Sequence, residues 1–128
     1  MTAPARAASA CWRLASLPAT LAHELTHMLL AAPWADETAV AWHADGVACF
    51  TNWKPSAPRW AIVLASLGPT ILGSLVGIGG LWQLFTAPPE SSSELLLTAA
   101  VAAWWVIYAA PSSDDLDIFD PDEETDNG

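Results

Sequence analysis

Leu17-Pro18-Ala19-Thr20-Leu21-Ala22-His23-Glu24-Leu25-Thr26-His27-Met28-Leu29-Leu30 is an apolar run interrupted by three ionisable side chains. They are the only ones between Arg13 and Asp36. Their spacing is HExxH, and on a helix two imidazoles four residues apart lie on one face, one turn above the other, where they can share a zinc ion. Glu24, directly after the first histidine, has the reach of a general base toward a water at the open fourth position of such a site. Thr20, His23, Glu24 and His27 recur at helical spacing along one stripe, and Leu17, Leu21, Leu25 and Met28 along another. The stretch therefore predicts a helix with a reactive face and an apolar back. Charged groups in a segment of membrane grade are costly unless they face protein, a metal or water, which makes a functional role the default.

The rest of the chain fits a membrane setting. It has 128 residues, enough for one domain, with 53% hydrophobic and 14% charged residues. Its net charge of −10 comes with four basic residues, Arg6, Arg13, Lys54 and Arg59. No basic patch is available to neutralise phosphates, so nucleic acid is excluded as a partner. Cys11 and Cys49 have no motif spacing and read as small buried apolar residues. A cleaved signal peptide would not carry His23, Glu24 and His27 in its apolar region, so the first segment reads as a retained membrane helix.

Three spans are expected: residues 14–33, 60–86 and 94–110. Residues 1–13, alanine-rich with two arginines, read as a frayed or interfacial arm. Between the first two spans, Ala39-Val40-Ala41-Trp42-His43 and Val47-Ala48-Cys49-Phe50-Thr51 flank Ala44-Asp45-Gly46, which predicts a β-hairpin over about 38–53 turning at Asp-Gly. Trp34, Trp42, Trp53 and Trp60 gather around it, as indoles do at a membrane–water interface. In the second span, Gly73 and Gly77 make a GxxxG pair for close helix contact. Pro69, after Gly68, removes a helix hydrogen bond and can open a local polar site. The serine run Ser91-Ser92-Ser93 is placed to cap the third span, and Trp104, Trp105 and Tyr108 near its end read as an interfacial belt. Residues 1–119 form the membrane-embedded domain, and the acidic tail 120–128 is expected to be disordered. The fold class is an all-α multi-pass membrane protein with one small hairpin.

A catalytic zinc usually takes three protein ligands, so two histidines leave the site incomplete. The extension HExxHxxGxxH would need glycine at 30 and histidine at 33, where the chain has Leu30 and Pro33. Glu37 follows the motif too soon, and Glu90 and Glu94 fall on the opposite membrane side. With three spans, the first and third run parallel, so Asp114, Asp115 and Asp117 arrive near His27. A carboxylate from this group completes a chemically sound set. His43 is the local competitor, read as a surface or supporting group.

HExxH on a first core span, a hairpin-like connection, Leu67-Gly68-Pro69 on a second span and an aspartate after a third resemble the site-2 protease group of intramembrane zinc metalloproteases and its short zincin-like relatives. The likeness covers roughly residues 15–117. It implies peptide-bond hydrolysis in or near the cell membrane, Zn2+ as cofactor, and a membrane protein or peptide as substrate. Pro111-Ser112-Ser113-Asp114-Asp115-Leu116 resembles the group's Pro-Ser-x-x-Asp form, which implies His23, His27 and Asp115 as metal ligands, Asp114 as the alternative third ligand, and Glu24 as catalytic base. The chain departs from the group in lacking a Leu-Asp-Gly sequence and in having Leu72 where an asparagine often follows Gly-Pro. Outside this resemblance, a non-catalytic metal-binding protein or a small transporter-type subunit with a histidine path fits the same residues.

Overall fold

The computed structural model describes residues 3–43 and 46–117. In chain order these form α1 (Ala3–Ala31), β1 (Ala35–His43), β2 (Gly46–Trp53), α2 (Arg59–Thr86), α3 (Ser92–Ala109) and a short α4 (Ser113–Leu116). The architecture is mostly helical with one two-stranded antiparallel hairpin, as expected. Helices α2 and α3, of 28 and 18 residues, are long and apolar enough to cross a membrane.

Helix α1 is longer than its apolar segment implies. Residues 3–13 continue the helix rather than forming a frayed arm, because alanine and arginine are strong helix formers and no proline or glycine interrupts Ala5 to Leu17. Pro18 lies inside α1, fifteen residues after its start instead of in its first turn. The hairpin is also longer than 38–53, since Ala35 pairs with Trp53 and Asp36 and Glu37 lie in the strand. An irregularity between Ala35 and Glu37 ends the regular register. The predicted turn residues Ala44 and Asp45 lie outside the described residues. His43 pairs with Gly46, whose φ of 149° is a conformation that only glycine adopts without strain. The tail expected at 120–128 also lies outside the described residues.

Helix α1 is the hub, packing against α2, α3 and both strands. Helix α3 runs parallel to α1: Trp104 Nε1 donates to the Ala15 carbonyl, and Tyr108 reaches Thr26, 3.0 Å from hydroxyl to hydroxyl. Helix α2 runs antiparallel to α3, with Gly73 against Ala109 and Gly77 against the Trp105 indole. A side chain at Gly73 or Gly77 would overlap these neighbours, so the GxxxG pair does set a close helix contact. Trp105 also donates from Nε1 to the Gly73 carbonyl at 2.6 Å. Trp105 and Tyr108 thus take part in helix packing, while Trp104 is 48% exposed. At the start of α3, Ser91 caps the helix by accepting from the Glu94 N–H.

Candidate metal centre

The histidines of HExxH sit where α1 ends, α2 begins and α3 stops. His23 and His27 face inward one turn apart, with ring centroids 4.6 Å apart. Two residues after α3 comes Pro111, and Ser112 then caps the single turn of α4. Its Oγ accepts from the Asp115 N–H, and its own N–H donates to Asp115 Oδ2 at 2.7 Å. This reciprocal cap fixes the Asp115 carboxylate and aims it into the bundle.

The result is one cluster of three donors: His23, His27 and Asp115 offer ligand atoms that all lie within 4.8 Å of one another, a group that can hold a metal ion. The two Nε2 atoms are 2.9 Å apart; Asp115 Oδ1 is 2.9 Å from His27 Nε2, and Oδ2 is 3.3 Å from His23 Nε2. The three residues are only 5, 9 and 7% exposed, so water cannot satisfy them. Of the described aspartates after Pro111, which are Asp114, Asp115 and Asp117, Asp115 is the one brought in. Asp114 is exposed with Ser113 as its hydrogen-bond partner, and Asp117 is exposed as well.

The chemistry of this donor set fits a cation. His23 Nδ1 lies 2.7 Å from the Tyr108 carbonyl and His27 Nδ1 lies 2.7 Å from the Ala65 carbonyl. A carbonyl only accepts, so each Nδ1 carries the ring hydrogen and each neutral ring presents a bare Nε2 lone pair. Two lone pairs and a carboxylate then converge on one point, which is repulsive without a positive charge between them. A proton on one Nε2 relieves part of that repulsion. Burial disfavours the charged carboxylate of Asp115, yet the hydrogen bonds with His23, His27 and the Ser112 N–H outweigh it and hold the group below the usual carboxylate range. A divalent cation relieves all three donors at once. Donors about 2.0–2.1 Å from a tetrahedral zinc stand roughly 3.3 Å from each other, close to the spacings found here. Backbone carbonyls on the far nitrogens are also the usual support of metal-binding histidines.

Glu24 occupies a separate position. Its Oε2 accepts the Cys49 N–H of β2 at 2.8 Å. That N–H therefore points away from β1, and by the alternation of an antiparallel pair Val47 and Thr51 turn the same way. The outward edge of β2 consequently faces α1 and the cluster. Two clefts follow this edge, of about 430 and 340 Å³, and both are bordered by Glu24, Val47 and Ser112. The first also touches His23; the second touches His27 and Asp115.

Residues outside the motif take roles that their identities do not announce: Ala65, Tyr108 and Cys49 act through backbone atoms, and Ser112 through both its hydroxyl and its N–H. Only Ser112 carried a signal, the cap pattern Ser-x-x-Asp. His43 is exposed at the end of β1 against the Phe50 ring, at 5.1 Å, and takes no part in the cluster. Cys11 is exposed and Cys49 half-buried, correcting the expectation that both are buried. Trp34 and Trp60 pack edge to face at 5.2 Å beside the hairpin. No known protein family, curated protein or solved structure matches the chain.

Proposed function

We propose that this protein is a membrane-embedded zinc metalloprotease that hydrolyses peptide bonds in or next to the bilayer. The observation that carries the reading is the convergence of two bare imidazole nitrogens and a carboxylate beside a glutamate held at a strand edge. In this reading residues 14–33 of α1 cross the membrane along with α2 and α3, giving a multi-pass protein of the kind that the site-2 protease resemblance implies.

His23, His27 and Asp115 would hold the zinc. The ion supplies Lewis acidity, polarising a carbonyl and lowering the pKa of water from about 15.7 toward 7. Glu24 acts as the proton carrier: Oε2 is anchored on the Cys49 N–H, so Oε1 takes the proton of the attacking water and passes it to the departing amine nitrogen. The edge of β2 offers backbone groups at Val47 and Thr51 to an extended peptide lying in the clefts. A helical substrate must unwind to use that edge, and the hairpin replaces the hydrogen bonds it gives up.

The test uses purified full chain in phospholipid nanodiscs, counting zinc per chain and following cleavage of a pool of membrane-inserted peptides. Wild type is expected to hold one zinc, and His23→Ala to lose it. Glu24→Gln should keep the metal while cleavage falls on the order of 10²–10⁴-fold. Full activity in Glu24→Gln sinks the proposed base. A wild type that stays zinc-free on adding zinc sinks the metal site, and zinc without cleavage of any peptide favours the non-catalytic or transporter-type reading.

A further inference from the structure

Pro69 lies inside α2 with its side chain fully buried, within a helix that continues from Arg59 to Thr86. In an α-helix each N–H donates to the carbonyl four residues back; the ring nitrogen of a proline has no hydrogen to give. The carbonyl left without that donor is Ala65, itself buried, and it is the one that accepts the Nδ1–H of His27 at 2.7 Å. We propose that Pro69 is a positioning residue for the metal ligand His27: by withholding an N–H, it reserves the Ala65 carbonyl for the imidazole. The inference rests on the zinc reading for its purpose, although not for its geometry.

The consequence reaches the metal through one ring. With Nδ1–H fixed on Ala65, His27 has one tautomer and one orientation, and its bare Nε2 faces Asp115 Oδ1 at 2.9 Å. An alanine at 69 would return an N–H to the helix. Ala65 would then be shared between two donors, and the imidazole would lose part of its anchor. A neighbouring function does not account for the proline, because the close contact of α2 with Leu30 is made by Gly68.

The other histidine shows the same arrangement reached by another route. The N–H four residues beyond Tyr108 belongs to Ser112, and it donates to Asp115 Oδ2 instead of to the helix. Pro111, directly before it, ends α3, and the Tyr108 carbonyl accepts His23 Nδ1 at 2.7 Å. Each ligand histidine is thus held by a helix carbonyl whose ordinary donor is missing or diverted. In a low-dielectric interior such a carbonyl needs a partner, so the bond to the imidazole satisfies both sides.

The experiment compares wild type, Pro69→Ala, and an ester variant with lactate at position 69, all as full chain in nanodiscs. Alanine and lactate share a methyl side chain and differ by the N–H. Zinc affinity is read by chelator competition, and exchange of the His27 Nδ1–H by ¹⁵N-histidine NMR on metal-free protein. Removing proline favours helix, so the fold is expected to hold, with helix content checked by circular dichroism. Pro69→Ser, which restores the same N–H, serves as the second variant.

The expected result is a loss of zinc affinity of about 10 to 100-fold in Pro69→Ala, as for other groups that orient a metal ligand, with faster exchange of the ring hydrogen. The lactate variant should recover both. Unchanged affinity and exchange in Pro69→Ala overturn the proposal. So does an equal loss in the alanine and lactate variants, which would assign the effect to the ring's shape. If wild type takes up no zinc, the proposed function fails, while ring-hydrogen exchange still decides this inference by the same comparison.

Discussion

At the end of the bundle where α1 stops and α2 begins, three helices and a hairpin close over two histidines and an aspartate. At the opposite end α2 and α3 run on with almost nothing upon them. The buried residues of α2 are Ala61, Ala65, Gly68, Pro69, Gly73 and Gly77, all before its last turns, and α3 has none. Beyond Gly77, Ile78, Trp82 and Phe85 are 67, 71 and 85% exposed, which marks this as surface despite its composition. The contrast is one of partners: His23, His27 and Asp115 are enclosed with small apolar residues such as Ala61 and Ala65 around them, whereas the large apolar side chains at the far end face outward, as hydrocarbon lipid would allow.

This contrast can be broken most severely at the enclosed end. Asp115→Ala removes one of three donors and should weaken zinc binding by more than the roughly 100-fold that orienting groups cost. Asp114→Ala, one position away but exposed, should leave the affinity unchanged in the same chelator titration. Equal effects of the two would show that the carboxylate is not held as α4 places it.

The strand edge is the next largest. Cys49→Pro removes the N–H that anchors Glu24 without removing a bond to β1, since that N–H points outward. Hydrogen bonds to charged groups contribute about 1.5–3 kcal/mol, so peptide cleavage should fall roughly 10 to 100-fold. Zinc content should not change, and a loss of zinc in this variant would refute the separate roles given to Glu24 and the ligands.

Two glycines a single turn apart sharpen the comparison for packing. A side chain at Gly77 meets the Trp105 ring, whereas one at Gly80 meets nothing within 4 Å. Gly77→Ala should destabilise the helix pair by about 1–3 kcal/mol through overpacking. Gly80→Ala should stay within about 0.5 kcal/mol of wild type. Unfolding in detergent mixtures measures both, and similar values would mean that α2 and α3 do not pack as described. Ser112→Ala lies between these, with a lost cap of about 0.5–2 kcal/mol and a weaker hold on Asp115.

The legible parts of the molecule were those in which side-chain identity carries the information. His23, Glu24 and His27 announce a helix face by their spacing, and Ser91 announces the start of α3. Gly73 and Gly77 mark a close contact without saying with what. Trp105 and Tyr108 do not announce their packing contacts, because an indole or phenol serves equally at an interface and against a glycine. Residues 3–13 hide their helix, because an alanine-rich stretch has helical propensity but no face to show. The start of β1 is not legible at Asp36 and Glu37, whose charges hide extended structure when the hairpin edge is exposed.

What the sequence by itself determined is the chemistry on offer: two imidazoles one helix turn apart with a carboxylate between them in the chain, apolar helices, a hairpin, and a set of aspartates arriving late in the chain. Only the tertiary structure chose Asp115 among them, tied Glu24 to Cys49, and gave His23 and His27 the carbonyls of Tyr108 and Ala65. The physical reason is that these choices are made by backbone atoms and by distance. Every residue has an N–H or a carbonyl, so its presence in a sequence carries no signal until folding decides which one is left without a partner.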